Sequence, residues 1–119
     1  MYHIVVRGLT PYGEVDTLAE QNLLNAQSAG DARDIIMFPC RSKSVNSQVD
    51  EMMNKIPQKL YDKVWIKVIT NPTASCPWNG FHITRNCQYI LDIIKRIKSY
   101  EKWVGIYTSK EMWKSIIGK

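Results

Sequence analysis

The stretch KVWIKVITNP, residues 63–72, decides how this chain is read. It is rich in β-branched and aromatic residues and is closed by Thr70-Asn71-Pro72, which makes it a strand ending in a turn. It also holds a lysine, Lys67, among Trp65, Val68 and Ile69. A core strand does not carry a charge without a reason, and the surrounding sequence has to supply one.

Working outward, three further β-rich runs resemble it: YHIVVRG at 2–8, DIIMFPC at 34–40 and WVGIYTS at 103–109. Each of the four runs precedes a segment with helical spacing. TLAEQNLLNAQSAG follows Asp16, which is placed to cap it, and stops at Gly30. SVNSQVDEMMNKI carries Val45, Val49, Met52, Met53 and Ile56 and ends at Pro57. NCQYILDIIKRIKSYE presents Tyr89, Ile90, Ile93, Ile94 and Ile97 on one broad face, and SKEMWKSIIG is the last. Strand and helix alternating four times predict an α/β fold, a mostly parallel sheet of about four strands with right-handed crossovers, covered on both faces. Residues 1–119 read as a single domain with no linker or fixed-period repeat.

Composition is consistent with that reading. A chain of 119 residues, 45% hydrophobic, can bury a core of its own. It is about half the length of a typical closed eight-fold β/α barrel of roughly 250 residues, so any barrel is partial. No apolar run approaches the roughly 18 residues that cross a bilayer, and MYHIVVRGL lacks the pattern of a signal peptide. The net charge of +5 favours anionic surfaces such as nucleic acid, acidic lipid or a bacterial wall polymer. Much of the excess lies in KRIKSYEK and SKEMWKSIIGK, where spaced lysines read as a solvated helical face, which disfavours nucleic acid as the partner. Cys40, Cys76 and Cys87 fit no zinc spacing, and no phosphate loop, nucleophile elbow or His-x-x-x-His pair occurs, so no metal or cofactor is expected. Cys76 and Cys87 flank a loop rich in Pro, Trp, Asn and Gly. A disulfide between them would staple it, and two reduced thiols are the alternative.

In parallel sheets the chemistry gathers at the carboxyl ends of the strands. Those ends are Arg7-Gly8, Phe38 to Cys40, Lys67 to Asn71, and Tyr107 to Ser109. Read together and in order, VVRGLTPYGEVD, IIMFPC, VWIKVITNP, SCPW, NCQYI and VGIYTSKEMW resemble the family 25 glycoside hydrolases, the lysozymes of the nematode and amoeba type. The resemblance runs along almost the whole chain. It implies a flattened β/α barrel, cleavage of the β-1,4 bond of peptidoglycan, a role in defence against bacteria or their digestion, and an extracellular or lysosomal location. Relative to that family the chain starts at the second strand and stops after the helix following the fifth.

The family's mechanism rests on an Asp-x-Glu pair on the strand matching 63–69. A member would read Trp-(Leu or Ile)-Asp-(Ile or Val)-Glu where this chain has Trp65-Ile66-Lys67-Val68-Ile69. Residues two apart on a strand share a face, so the pair becomes an ammonium and a hydrocarbon. Glycoside hydrolysis needs one carboxyl to protonate the leaving oxygen and a second to stabilise the oxocarbenium-like centre. The expectation is therefore a muramidase relative that is impaired or inactive. Two accounts of Lys67 stand: a wet inner face that lets its ammonium reach water while its stem packs on Trp65, or drift after catalysis was lost. Glu14 and Asp16 are the fallback carboxylates. Arg7, Phe38, Trp78, Tyr107 and Ser109 are the candidate glycan-binding surface. His3, His82 and Asp34 take structural roles. Cys40 matches the family's FPC, but the partner expected within RSKS is absent, which leaves its pairing open and a free thiol as one reading. Open sheet edges add self-association, a homodimer, as a further expectation.

Overall fold

In the computed structural model, which describes residues 2–118, the chain alternates strand and helix throughout. The strands are β1 (His3–Leu9), β2 (Ala32–Met37), β3 (Lys63–Lys67) and β4 (Trp103–Tyr107). The helices are α1 (Ala19–Ser28), α2 (Val45–Lys55), α3 (Ile83–Lys98) and α4 (Lys110–Ile117), with a short 3-10 helix at Gln58–Leu60. All three strand pairings are parallel and the order is β1-β2-β3-β4, as the alternation predicted.

The expectation of cover on both faces is not met, and the strand order explains why. When each strand lies beside the one before it, every crossover moves in the same direction, and right-handed crossovers then put every helix on one side. That side is the core. Val6, Ile35, Met37, Val64, Ile66 and Val68 meet Leu23, Val49, Met52, Met53, Ile90, Ile93 and Ile97 there, most of them fully buried. The alternate residues form the other face, which no helix covers: Val5 is 45% exposed, Tyr107 54% and Trp103 76%. Trp65 lies across it. The Cβ of any other residue at Gly105 would stand 2.5 Å from the indole, so glycine here makes room for the ring. Trp65 Nε1 donates to Asp34 Oδ2 (3.0 Å), which His3 Nε2 also meets at 2.6 Å, while Lys63 N–H donates to Oδ1 (3.1 Å). Asp34, 2% exposed, is thus a structural acceptor joining three strands.

Helix ends depart from the sequence reading in two places. Leu18, and not Asp16, is the N-cap of α1. Asp16 sits two residues earlier and accepts from the Leu18 N–H (2.9 Å), while its other oxygen accepts from Arg7. α3 begins three residues before Asn86, capped by His82, whose Nδ1 accepts from the Thr84 N–H (3.1 Å). Ser44 and Ser109 cap α2 and α4.

The cysteine pairing is also corrected. Cys40 is bonded to Cys76, tying the loop after β2 to the loop after β3, and Cys87 is free on α3. Adjacent parallel strands bring their C-terminal loops side by side, whereas Cys87 is carried one turn into a helix.

Candidate functional site

The C-terminal ends of β1, β2 and β3 are held as one unit. Asn71, 7% exposed, donates through Nδ2 to the carbonyls of Pro11 (2.8 Å) and Pro39 (3.4 Å) and accepts from the Thr73 N–H. The Asn-Pro that closes the opening stretch therefore clasps the loops after all three strands. Its role was not legible in sequence beyond the turn signal. Gln48 adds a second clasp: its Oε1 accepts from the Cys40 N–H (2.8 Å) and its Nε2 donates to the Cys40 carbonyl (3.1 Å). Gly13, at φ +75°, passes so close to this pair that a Cβ would fall 2.9 Å from Cys40 Cβ and from Gln48 Oε1.

Between these ends, on the face without helices, lies a cleft of about 570 Å³. Arg7, Ile36, Phe38, Lys67 and Ile69 line it. Lys67 and Ile69 project to the same side, as their spacing requires. The Lys67 ammonium sits 5.2 Å from the Phe38 ring centre and 5.8 Å from that of Tyr107, and it has no carboxylate partner among the described residues. Its tip rests on those two rings rather than on Trp65, which takes Lys63 instead (4.7 Å). A lysine is tolerated in this strand because its face is open to water and aromatic.

The other candidate residues fall into two groups. Arg7 joins the cleft, but its Nε donates to Asp16 Oδ2 at 2.7 Å. Burial works to raise the Asp16 carboxyl, yet the Leu18 N–H, the Arg7 hydrogen bond and the Arg7 charge outweigh it and hold it below the usual carboxylate range. Glu14 lines a separate depression with Gln48 and Lys55. Tyr107 does not line the cleft but stands beside its Lys67, with its ring centre 5.8 Å from the ammonium. Ser109 does not join the cleft: it lines a separate depression with Ile106, Lys110 and Trp113, and its Oγ accepts from the Met112 N–H (3.1 Å) as the cap of α4. Trp78 does not offer a ring to a ligand as expected. It is 3% exposed, edge-on to Tyr89 at 5.9 Å, and its Nε1 donates to the Ile69 carbonyl (2.9 Å). That bond fixes the end of the 63–72 stretch from behind. Among the described residues, no cluster of three or more His, Cys, Asp or Glu side chains forms that could ligate a metal, and no helix is long and apolar enough to cross a membrane.

Comparison with known proteins agrees with this arrangement. A family model described as "Lysozyme-like protein 1" matches residues 1–119. The chain is 32% identical to Lysozyme-like protein 1 of Caenorhabditis elegans, over 97% of this chain and 39% of that protein. It is 35% identical to Lysozyme-like protein 2 of the same organism, over 98% and 43%. With Probable GH family 25 lysozyme 2 of Dictyostelium discoideum it shares 25% identity, over 96% and 53%. The solved structure of a muramidase from Trichobolus zukalii superposes with a TM-score of 0.74 at 20% identity, over 98% of this chain and 57% of that one. The chain thus spans about half the length, or less, of the curated relatives it matches. A parallel four-strand sheet with its strand-end cleft, and a family match along all 119 residues, make this chain a member of the lysozyme-like protein family of the glycoside hydrolase family 25 type.

Proposed function

We propose that this chain is a lysozyme-like domain that engages the glycan of bacterial wall material through its strand-end cleft without hydrolysing it. The observation that carries the reading is the presence of Lys67 and Ile69 in that cleft. Neither replaces a carboxyl acid or a carboxylate stabiliser, and an ammonium beside a developing oxocarbenium centre opposes the reaction. Asp16 is a poor substitute: a general acid needs a raised pKa, and this carboxyl is held low. Tyr107, 54% exposed, supplies a ring face for sugar, Phe38 forms the buried floor beneath Lys67, and Arg7 and Lys67 supply donors for the sugar's acidic substituents. The Cys40–Cys76 disulfide supports work in an oxidising compartment, extracellular or lysosomal.

The test pairs sedimentation with insoluble peptidoglycan and a turbidity-clearing assay. The parent is expected to co-sediment and not to clear, and Lys67→Glu to lose co-sedimentation. Gain of clearing by Lys67→Asp/Ile69→Glu would mark a disarmed hydrolase. Clearing by the parent overturns the reading. A second reading, homodimerisation through the β4 edge, is favoured by the exposure of Trp103 and Tyr107. It predicts concentration-dependent sedimentation that Trp103→Lys abolishes.

A further inference from the structure

The helical side of the molecule carries a second concave surface that shares no lining residue with the cleft. This groove, of about 900 Å³, runs between the start of α2 and the outward side of α3. At one end stands Arg41. Its guanidinium lies 3.9 Å from the Phe81 ring centre and 4.5 Å from that of Tyr89, and its Nε donates to Asn86 Oδ1 (2.8 Å). Asn86 is itself 2% exposed and anchored to the carbonyls of Trp78 and Ile116 (both 3.2 Å).

The backbone that carries Arg41 is fixed just as firmly. Cys40 is bonded to Cys76, Gln48 holds both backbone groups of Cys40, and Ser42 Oγ donates to the Ser75 carbonyl (2.6 Å). The Tyr89 hydroxyl lies 2.8 Å from the Lys43 carbonyl. The guanidinium is therefore oriented before any ligand arrives, while its two terminal nitrogens have no partner among the described residues. A preformed fork loses little freedom on binding and suits a tetrahedral oxyanion.

The charges around it are unbalanced. Arg41, Lys43 and Lys95 line the groove without a carboxylate partner among the described residues. Arg96 is already satisfied by Asp50 through two bonds of 2.7 Å. The one acidic lining residue, Asp92, accepts from the Gln88 amide (2.8 Å). Burial draws the Arg41 guanidinium below its ordinary pKa; Tyr89 works against this and the nearby Arg85 charge adds to it. A single carboxylate would leave most of this positive charge uncompensated, whereas phosphate groups bring more charge and more acceptor oxygens per atom.

We propose that this groove is a binding site for soluble phosphate-bearing polyanions, with the Arg41 fork as anchor and Lys43 and Lys95 as flanking charges. It is independent of the glycan cleft and of whether that cleft hydrolyses anything.

The experiment is calorimetric titration of the intact, disulfide-bonded protein with tripolyphosphate, with citrate as a carboxylate control. Tripolyphosphate is expected to bind and citrate to bind at least about tenfold more weakly. Arg41→Lys keeps the charge and loses the fork, and is expected to weaken tripolyphosphate about tenfold. Because that change also disturbs packing on Phe81 and Tyr89, Lys95→Glu provides a second arm: it leaves the sandwich intact and should weaken binding by a similar factor with an unchanged melting temperature. Lys98→Glu, on the same helix but outside the groove, should have a clearly smaller effect. The proposal is overturned if the parent ignores tripolyphosphate, if citrate binds equally well, or if Lys98→Glu matches Lys95→Glu. It is equally overturned if binding appears only on vesicles of phosphatidylcholine and phosphatidylglycerol and not in solution.

Discussion

Removing the Cys40–Cys76 link should cost more stability than any other change at a cysteine. The bond closes a loop of 36 residues, and the loop-closure relation gives about 3.8 kcal/mol at 25 °C for that length. A bond between Cys76 and Cys87, only 11 positions apart, would give about 2.8 kcal/mol by the same relation. The two pairings therefore differ little in size but differ entirely in which substitution is felt. Cys87→Ser should cost no more than about 1 kcal/mol, since it removes no bond. Adding Cys40→Ser in that background, where Cys76 has no other thiol to capture, should cost about 4 kcal/mol, a large share of the roughly 5–15 kcal/mol available to a domain. Urea unfolding of oxidised protein reads this directly: with a slope of about 2 kcal/mol/M, the midpoint should fall by about 2 M. Thiol titration of the denatured, oxidised parent should give one reactive group per chain, located at Cys87 by peptide mapping. A large loss on Cys87→Ser, followed by no further loss on Cys40→Ser, would refute the pairing and the rigid Arg41 loop with it.

Gly105→Ala should destabilise by about 2–4 kcal/mol. The new Cβ, 2.5 Å from the indole, must turn Trp65 away from Asp34, adding overpacking to a lost hydrogen bond. Trp65→Leu in the same chain should recover part of the loss in thermal unfolding, and no recovery would count against the steric cause. Asp34→Asn should cost about 1–3 kcal/mol in urea unfolding, because whichever way the amide faces, its nitrogen replaces an acceptor for either Trp65 Nε1 or the Lys63 N–H; an unchanged midpoint would remove Asp34 from its structural role. The Asp16 carboxyl, held below its ordinary 3.8 in the folded state, protonates first in the unfolded chain. Its contribution is therefore complete above that ordinary value and is lost as pH falls through the lower folded pKa. Asp16→Asn should flatten the acid limb of a stability–pH curve, and an unaltered limb would contradict the Arg7–Asp16 pairing.

The extent to which all this was legible varies residue by residue. Val64, Ile66 and Val68 announce a strand, and helical spacing at Tyr89, Ile90, Ile93 and Ile97 announces a helix, because both patterns are local and repeat with the backbone period. The identity of 67 and 69 as lysine and isoleucine, and their shared face, needed no structure either. Trp78 misled because a tryptophan in a polar loop looks like a ligand contact, and only packing against Tyr89 and Ile69 reveals it as a buried strut. Arg41 gave no sign at all: its aromatic walls, Phe81 and Tyr89, lie 40 and more positions along the chain.

The sequence by itself determined the order of strands and helices, the parallel sheet they imply, and the lysine and isoleucine that share a face at 67 and 69, since each is set by residue identity and short-range periodicity. Tertiary structure alone decided which cysteine met Cys40, which face of the sheet stayed bare, and which cations were left without partners. Those outcomes depend on strand order and crossover hand, which bring together residues that no local pattern relates.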